Sequence, residues 1–346
     1  MQRISAQSTS AQSTSKLVTD LQSQLVDRLE VVSRSLEESA HLVRVEWFRD
    51  QGRHGGGLRY EAAETHAFNR ASVNVSQVQY EDEPQRPLAS ATALSAIVHP
   101  QHPRAASLHL HISWTELRSG RAYWRIMADL NPAIPQPGWK PAFVDCLQLA
   151  AGEVYAEAAA QGDRYFYIPT LQRHRGVAHF YLEDFHTDDQ AADLALAERV
   201  GTAVIDTYAR LLEQIAEFPA PETSERHQQL AYHTLYFFQV LTLDRGTTSG
   251  LLIHDQNDLG ILGSLPARID KTLLASWLPL LPEPQDQLLA GLLQALPDGD
   301  PSPIDETVKL RLAQIVRSHY SQNPQALALQ AAGQGSTHVS TRPQNT

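Results

Sequence analysis

The first strong pattern in the chain is a helical repeat of apolar residues. They recur at steps of three and four, which places them on one face of a helix, and they are Leu17, Leu21, Leu25, Leu29, Val32 and Leu36. The preceding residues 1–15 repeat the polar segment AQSTS and are predicted to be disordered. We therefore expect an amphipathic helix that follows a disordered N-terminal segment.

Beyond this helix the pattern changes to an alternation of apolar and polar residues, which is typical of half-buried strands. The clearest strand is predicted over residues 108–114, where Leu108, Leu110, Ile112 and Trp114 form one face. Its other face carries His109, His111 and Ser113. Further strands are predicted around Val73, Val75 and Val78 and over residues 123–128, 177–182 and 235–243.

Helical spacing returns in residues 194–218 and again after Pro266. In the second region Ser302 and Pro303 are predicted to begin a helix, because serine caps helices and proline fits the first helical position. Strands and helices do not alternate regularly, and no glycine-rich nucleotide loop follows a strand. This organisation favours an α+β fold with an antiparallel sheet.

Composition and charge restrict the function. The chain of 346 residues has a net charge of −11 and no basic cluster, which argues against binding to nucleic acid. No apolar run has the length of a membrane span, and the polar N-terminus does not resemble a signal peptide. The single cysteine, Cys146, excludes an internal disulfide. These features predict a cytoplasmic protein.

Five segments, taken in order, resemble one enzyme family. They are GGGLR at 55–59, FNRASVNVS at 68–76, ATALSAIVHPQHP at 91–103, ADLNP at 128–132, and LDRGT at 243–247 with SLP at 264–266. Weaker similarity includes Arg175-Gly176 and residues 165–168 and 181–184. The chain resembles the oxygen-dependent coproporphyrinogen III oxidases from about residue 49 to residue 266.

The resemblance implies a fold, an assembly and a reaction. The fold is a large, flat antiparallel sheet covered by helices on both faces, and the assembly is a homodimer. The reaction is the oxidative decarboxylation of propionate side chains of a porphyrinogen to vinyl groups, a step of porphyrin and heme biosynthesis. Dioxygen is the co-substrate and no organic cofactor is required. The family-like domain is predicted over residues 16–275, a C-terminal helical extension on the same domain over 276–332, and a disordered tail over 333–346.

The resemblance also implies roles for individual residues. His109 matches the proposed acid–base histidine, and Asp129 matches the aspartate that is thought to hydrogen-bond the pyrrole N–H groups. Ser95 and His99 match residues that contact the substrate, and Arg245 lies in the LDRGT segment as a further substrate contact. A carboxylate suits the role of Asp129, because it accepts hydrogen bonds and stabilises positive charge.

Other positions depart from the family pattern. His111 and Ser113 stand where the family has an asparagine and an arginine, and we include both among the substrate contacts. The segment 125–127 replaces three glycines with bulkier residues, and Tyr232 and His233 fall where family arginines are expected. A substrate with four carboxylates needs several cationic partners. The departures therefore predict a diverged member of the family with an altered substrate.

Two other functions stay open on the sequence. His109 and His111 project from one strand face about 7 Å apart, and with His179 they could hold iron, copper or manganese as in a metal-dependent oxidase. Alternatively, the protein is a non-catalytic binding protein that keeps the sheet and the dimer.

Structural roles compete with these functions at three places. His99 and His102 flank prolines in a predicted loop, Asp129 could cap a turn, and Asp244-Arg245 could form an ion pair at a strand end.

Overall fold

A computed structural model describes residues 9–36, 41–254 and 256–334 of the chain. The strands are β1 Val43–Phe48, β2 Gly55–Ala63, β3 Phe68–Gln79, β4 Leu88–Pro100, β5 Ser107–Leu117, β6 Ala122–Asn131, β7 Tyr167–Ile168, β8 Arg173–His174, β9 Ala178–Phe185, β10 Arg268–Ile269 and β11 Ser302–Pro303. Seven of them form one antiparallel sheet in the order β1-β2-β3-β4-β5-β6-β9. The other four form two short antiparallel pairs, β7 with β8 and β10 with β11.

Helices cover both faces of the sheet. They are α1 Thr9–Leu36, α2 Trp139–Ala151, α3 Tyr155–Phe166, α4 Gln190–Glu213, α5 Thr223–Thr242, α6 Arg245–Ile253, α7 Asp258–Ile261, α8 Lys271–Ser276, α9 Gln285–Ala295 and α10 Glu306–Gln322. Helices α1, α2 and α4 share one apolar core with the sheet, and α5 to α10 form a second core on the opposite side. The predicted α+β class, with helices on both faces of an antiparallel sheet, is confirmed.

The first core follows directly from the sequence pattern. Leu110 and Ile112 of β5 are completely buried, as are Val200 and Val204 of α4, and Leu25 of α1 is almost completely buried. The burial of each side chain of this size contributes about 1.5–3 kcal/mol to the free energy of folding. Because apolar and polar residues alternate along β5, one face of the sheet packs against this core and the other face carries polar residues.

The opposite sheet face carries a row of polar side chains. In the register, His109 pairs with Asp129, and Asp129 pairs with His179 on the next strand. Ser95 pairs with His111 one step further along the strands. Because directly paired residues of an antiparallel sheet share a face, these side chains lie on one surface. The predicted common face of His109, His111 and Ser113 is confirmed.

Two predicted elements are wrong. Residues 235–243 were predicted as a strand but lie almost entirely in α5, whose N-terminus has a capping box formed by Glu222 and Glu225. Residues 235–238 are all buried, and a short, continuously apolar run does not distinguish a buried strand from a buried helix. Ser302-Pro303 forms β11 rather than a helix start, and Asp305 caps α10 instead by accepting a hydrogen bond from Val308 N.

The ends of the chain differ in part from the prediction. The segment 9–15, predicted as disordered, belongs to α1. Residues 1–8 and 335–346, for which disorder was also predicted, lie outside the described residues. The C-terminal helices α9 and α10 share the second apolar core with α5. None of the described helices is long and apolar enough to cross a membrane.

Candidate active site

A buried carboxylate lies at the centre of the polar sheet face. Asp129 is completely buried, and its Oδ2 accepts hydrogen bonds from Arg175 Nη2 at 2.8 Å and from Asn131 Nδ2 at 2.5 Å. Its Oδ1 lies 3.0 Å from Nδ1 of His109. The carboxylate therefore joins β6, the segment before β9 and the histidine of β5.

Asp129 is held in its anionic form. Burial alone would raise its pKa, but the positive charge of Arg175, the neighbouring His109 and hydrogen bonds keep the pKa well below the ordinary value. Arg175 is itself buried, and its guanidinium carbon lies 4.6 Å from the ring centre of Phe166 and 4.9 Å from that of Tyr236. The two charges compensate each other inside an aromatic enclosure.

The contacts of His109 indicate which ring nitrogen faces a substrate. Arg175 Nη2 also approaches Nδ1, at 3.3 Å, but it makes its shorter hydrogen bond to Asp129. Asp129 Oδ1 has no other hydrogen-bond partner among the described residues, and a carboxylate only accepts, so the tautomer with a hydrogen on Nδ1 is the one that satisfies this oxygen. In that tautomer Nε2 is the ring nitrogen without a hydrogen. The side chain is 15% exposed, in contrast to Asp129.

A second polar chain runs beside this cluster. His111 contacts the Ser95 hydroxyl through Nδ1 at 3.0 Å and the Ser113 hydroxyl through Nε2 at 2.9 Å. Burial, followed by the charges of His109 and Arg125, lowers the pKa of His111 to about 3. The imidazole is therefore neutral, and it fixes two hydroxyl groups on the site face. The three predicted substrate contacts Ser95, His111 and Ser113 thus lie together.

His179 makes contacts that oppose its predicted role as a metal ligand. Its Nδ1 lies 2.7 Å from Asp163 Oδ1 of α3, and its Nε2 lies 2.7 Å from the carbonyl oxygen of Arg175. His111 likewise uses both ring nitrogens. Within the described part of the chain, His109, His111 and His179 do not form a cluster of close ligand atoms. The geometry does not support the predicted metal set.

One group elsewhere in the described residues has closely spaced potential ligands, namely His54, Asp82 and Glu83. His54 Nε2 lies 2.9 Å from Asp82 Oδ1 and 3.5 Å from Glu83 Oε1. Each carboxylate also pairs with an arginine, Asp82 with Arg53 and Glu83 with Arg86. We interpret this group as an ion-pair network that fixes the turn after β3.

His99 lies in β4 rather than in a loop, and it is fully buried. Its Nδ1 contacts the Ser107 hydroxyl at 2.9 Å, and its Nε2 contacts the carbonyl oxygen of Ser264 at 3.2 Å. Both nitrogens are thus used within the protein, which leaves none for the predicted substrate contact. His99 instead connects the sheet to the chain segment that follows α7.

Asp244 and Arg245 do not form the ion pair that the sequence suggested. Asp244 caps α6 through Thr247 N and accepts a hydrogen bond from Tyr165 Oη at 2.8 Å. Arg245 points elsewhere, with Nη1 3.6 Å from Glu183 Oε1 of β9, and its side chain is 41% exposed. This partial exposure keeps Arg245 available as a cationic contact at the edge of the site.

The bulky segment that replaces three family glycines has two effects. Met127 packs with Tyr165, Phe166 and Tyr181 and fills space above the sheet. Arg125, paired in register with Ser113, instead adds a cation to the same face. Its guanidinium is 4.0 Å from Asp184 and 28% exposed. Met127 therefore makes the site narrower than one lined by glycines, and Arg125 supplies one of the positive charges that the missing family arginines would have provided.

Sequence reasoning missed Arg175 as a site residue. The available signal was Arg175-Gly176 within the weaker region of family similarity. Gly176 has a φ of +81°, and a Cβ there would lie 2.7 Å from Asn131 Oδ1. Only glycine fits this turn without strain, and the turn brings Arg175 against Asp129.

Fold and site together define a class: an α+β protein that carries a buried carboxylate–arginine pair against a histidine on one sheet face. A family model described as coproporphyrinogen III oxidase matches residues 13–276, which is more than half of the chain. The chain therefore belongs to the coproporphyrinogen III oxidase family, a family of oxidases. The predicted family is confirmed, and α9 and α10 lie beyond the matched region.

Proposed function

We propose that the protein catalyses the dioxygen-dependent oxidative decarboxylation of propionate side chains of a porphyrinogen or a similar pyrrolic substrate. Family membership supports this reaction type. The observation that carries the proposal is the contact of 3.0 Å between His109 Nδ1 and the buried Asp129. It leaves Nε2 of a partly exposed histidine to exchange a proton with the substrate.

The proposed reaction assigns different tasks to the two residues. His109 Nε2 accepts the pyrrole N–H proton, which makes the ring electron-rich enough to react with dioxygen. Each propionate then loses carbon dioxide, one proton from the CH2 group attached to the ring, and two electrons to become a vinyl group. Dioxygen takes up the two electrons together with that proton and one from solvent to form hydrogen peroxide. Asp129, which is fully buried, orients His109 and stabilises its protonated form instead of contacting the pyrrole nitrogens as the resemblance suggested.

The substrate carboxylates need cations, and two arginines at the site can supply them. Arg125 and Arg245 are both partly exposed and have only loose acidic partners, at 4.0 Å and 3.6 Å. An arginine that exchanges a loose partner for a substrate carboxylate gains a bidentate contact. Ser95 and Ser113, both held by His111, add hydroxyl groups on the same face. We propose dioxygen as the oxidant, without a metal or an organic cofactor.

The test is turnover of coproporphyrinogen III in air, followed by mass spectrometry of the oxidised porphyrins. The wild-type protein is expected to give products that have lost one and then two propionates. His109→Ala is expected to lower the rate by about 10²–10⁴, the usual contribution of a general acid–base group. His227→Ala removes an exposed histidine of α5 and is expected to leave the rate unchanged.

A folded wild-type protein without turnover would reject this substrate, and a fully active His109→Ala variant would reject the assigned base. The same reaction in the presence of a chelator tests the absence of a metal. Full activity is expected there. Loss of activity that iron, copper or manganese restores would instead favour a metal-dependent enzyme.

A further inference from the structure

A small polar cavity lies on the same sheet face, between the sheet and the C-terminal extension. Its volume is about 180 Å³, and three of its lining residues are cations: Arg59 of β2, Arg70 of β3 and Lys309 of α10. Ser72 and Asn74 alternate with Arg70 along β3, and Asn74 pairs with Ser95, which places the cavity and the candidate site on one surface. Lys309 lies beyond the region that matches the family.

Lys309 is a buried lysine that lacks an acidic partner. Its side chain is only 5% exposed, and no carboxylate among the residues that the structure describes lies within ion-pair distance of its ammonium group. Buried lysines are rare and are normally paired, because an uncompensated buried charge is costly. An anion in the cavity would supply the missing partner.

The two arginines strengthen this conclusion. The guanidinium of Arg70 donates to two backbone carbonyl oxygens, of Leu265 at 3.1 Å and Ile304 at 3.4 Å. No carboxylate among the described residues is in ion-pair contact with it, and nearby glutamates act on its charge only from a longer distance. Arg59 pairs through Nε with Glu61 at 2.7 Å. The cavity thus contains two cations without a direct carboxylate contact and one that is paired.

The carboxylates that line the cavity are already engaged or exposed. Glu61 accepts the hydrogen bond of Arg59, and Asp305 caps α10 through Val308 N at 2.8 Å. Glu306 is exposed at the first turn of α10. None of these carboxylates therefore lies between Lys309 and Arg70 as an ion-pair partner of both.

We propose that this cavity binds a small oxyanion group, a carboxylate or a tetrahedral anion, between Lys309 and Arg70. The site does not depend on the proposed oxidase reaction. Its volume admits a group of a few heavy atoms and not a tetrapyrrole. Because Lys309 belongs to α10, an anion bound here would also bridge the family-like sheet and the C-terminal extension.

The experiment measures thermal stabilisation of the full chain by sodium sulfate and by sodium propionate, each against sodium chloride at equal ionic strength. At least one probe is expected to raise the Tm of the wild-type protein. Lys309→Met is expected to weaken that binding about tenfold or more, since it removes a charge-assisted contact. Lys140→Met removes an exposed lysine and is expected to bind as the wild type does.

The pattern of outcomes identifies the ligand chemistry. Sulfate also stabilises proteins without binding, so only the stabilisation that Lys309→Met loses is assigned to the cavity. If this part occurs with sulfate alone, the ligand is a tetrahedral anion; with propionate alone, a carboxylate; with both, the cavity is a general oxyanion site. The proposal would be overturned if neither probe stabilised the wild-type protein. It would also be overturned if the stabilisation persisted unchanged in Lys309→Met. If Lys309→Met does not fold, Lys309→Gln keeps the same test available.

The pH dependence gives an independent readout with sulfate, whose charge is constant near neutrality. The pKa of Lys309 is lowered to about 8, mainly by burial and then by the charges of Arg70 and Arg59. The carboxylates of Glu61 and Glu306 act in the opposite direction and are included in this value. The ammonium form that binds an anion therefore disappears above this pH. Sulfate stabilisation is expected to fall between pH 7 and pH 9 in the wild-type protein, and an unchanged response across this range would contradict the role of Lys309.

Discussion

The free energy of unfolding is expected to fall steeply below about pH 6, because the folded protein holds three histidines in their neutral forms. Burial lowers the pKa of His111 and His233 to about 3 each. Burial and the neighbouring His233 hold the pKa of His99 well below its ordinary value. In the unfolded chain all three titrate near pH 6.5.

The sign of the effect follows from proton counting. Between about pH 6.5 and pH 3 the unfolded chain binds protons at these histidines and the folded protein does not, so the free energy of unfolding decreases as the pH falls. Each histidine contributes a slope of about 1.4 kcal/mol per pH unit, and the three together about 4 kcal/mol per pH unit. A protein at the lower end of ordinary stability, about 5 kcal/mol, would then unfold near about pH 5, above the ordinary pKa of carboxylates.

Urea denaturation at pH 8, 7, 6 and 5 measures this slope. His111→Gln keeps hydrogen-bonding atoms near Ser95 and Ser113 but cannot take up a proton, and it is expected to flatten the slope below pH 6 by about 1.4 kcal/mol per pH unit. His233→Leu is expected to do the same, while His227→Gln at an exposed position leaves the slope unchanged. A free energy of unfolding that stays constant from pH 7 to pH 5 would show that these histidines take up protons in the folded protein.

The sequence predicts the sheet well because alternation reports directly on burial. Residues 108–114 show it clearly, and the structure places them in β5 with the expected faces. Residues 235–238 are buried on every side, so α5 carries no periodic signal that separates a helix from a strand. Ser302-Pro303 has good local helix-start chemistry, but pairing with β10 prevails there and the helix begins three residues later.

The candidate site was predictable only in part, because its residues come from several strands and a turn, and the local sequence pattern does not report contacts between them. Alternation along β5 is enough to predict the common face of His109, His111 and Ser113. The register that adds Asp129 and His179 to this face comes only from the structure. The pairing of Asp129 with Arg175 depends on a turn at Gly176 between β8 and β9, and the sequence pattern carries no distance information across such a turn. The burial of His99 likewise depends on contacts with α5, among them Tyr236, which lies in the segment that was predicted as a strand.

Asp129→Ala is expected to lower the free energy of unfolding by about 3–5 kcal/mol, the usual effect of breaking a buried ion pair. The variant leaves the guanidinium of Arg175 buried without the carboxylate that it contacts at 2.8 Å. Arg175→Met is expected to cost a similar amount, because it leaves Asp129 as an uncompensated buried anion. Both changes also remove the group or the charge that orients His109, so turnover is expected to fall about a hundredfold or more.

The double variant Asp129→Asn/Arg175→Met, compared with the single variants Asp129→Asn and Arg175→Met, separates charge compensation from packing. It removes both charges and keeps the side-chain volumes, so it is expected to recover most of the stability that either single variant loses. Turnover is not expected to recover, because an asparagine does not stabilise a protonated His109. Urea denaturation and the coproporphyrinogen assay measure the two effects separately. Additive losses of stability would show that the two residues act independently, and recovered turnover would show that the negative charge of Asp129 has no part in the reaction.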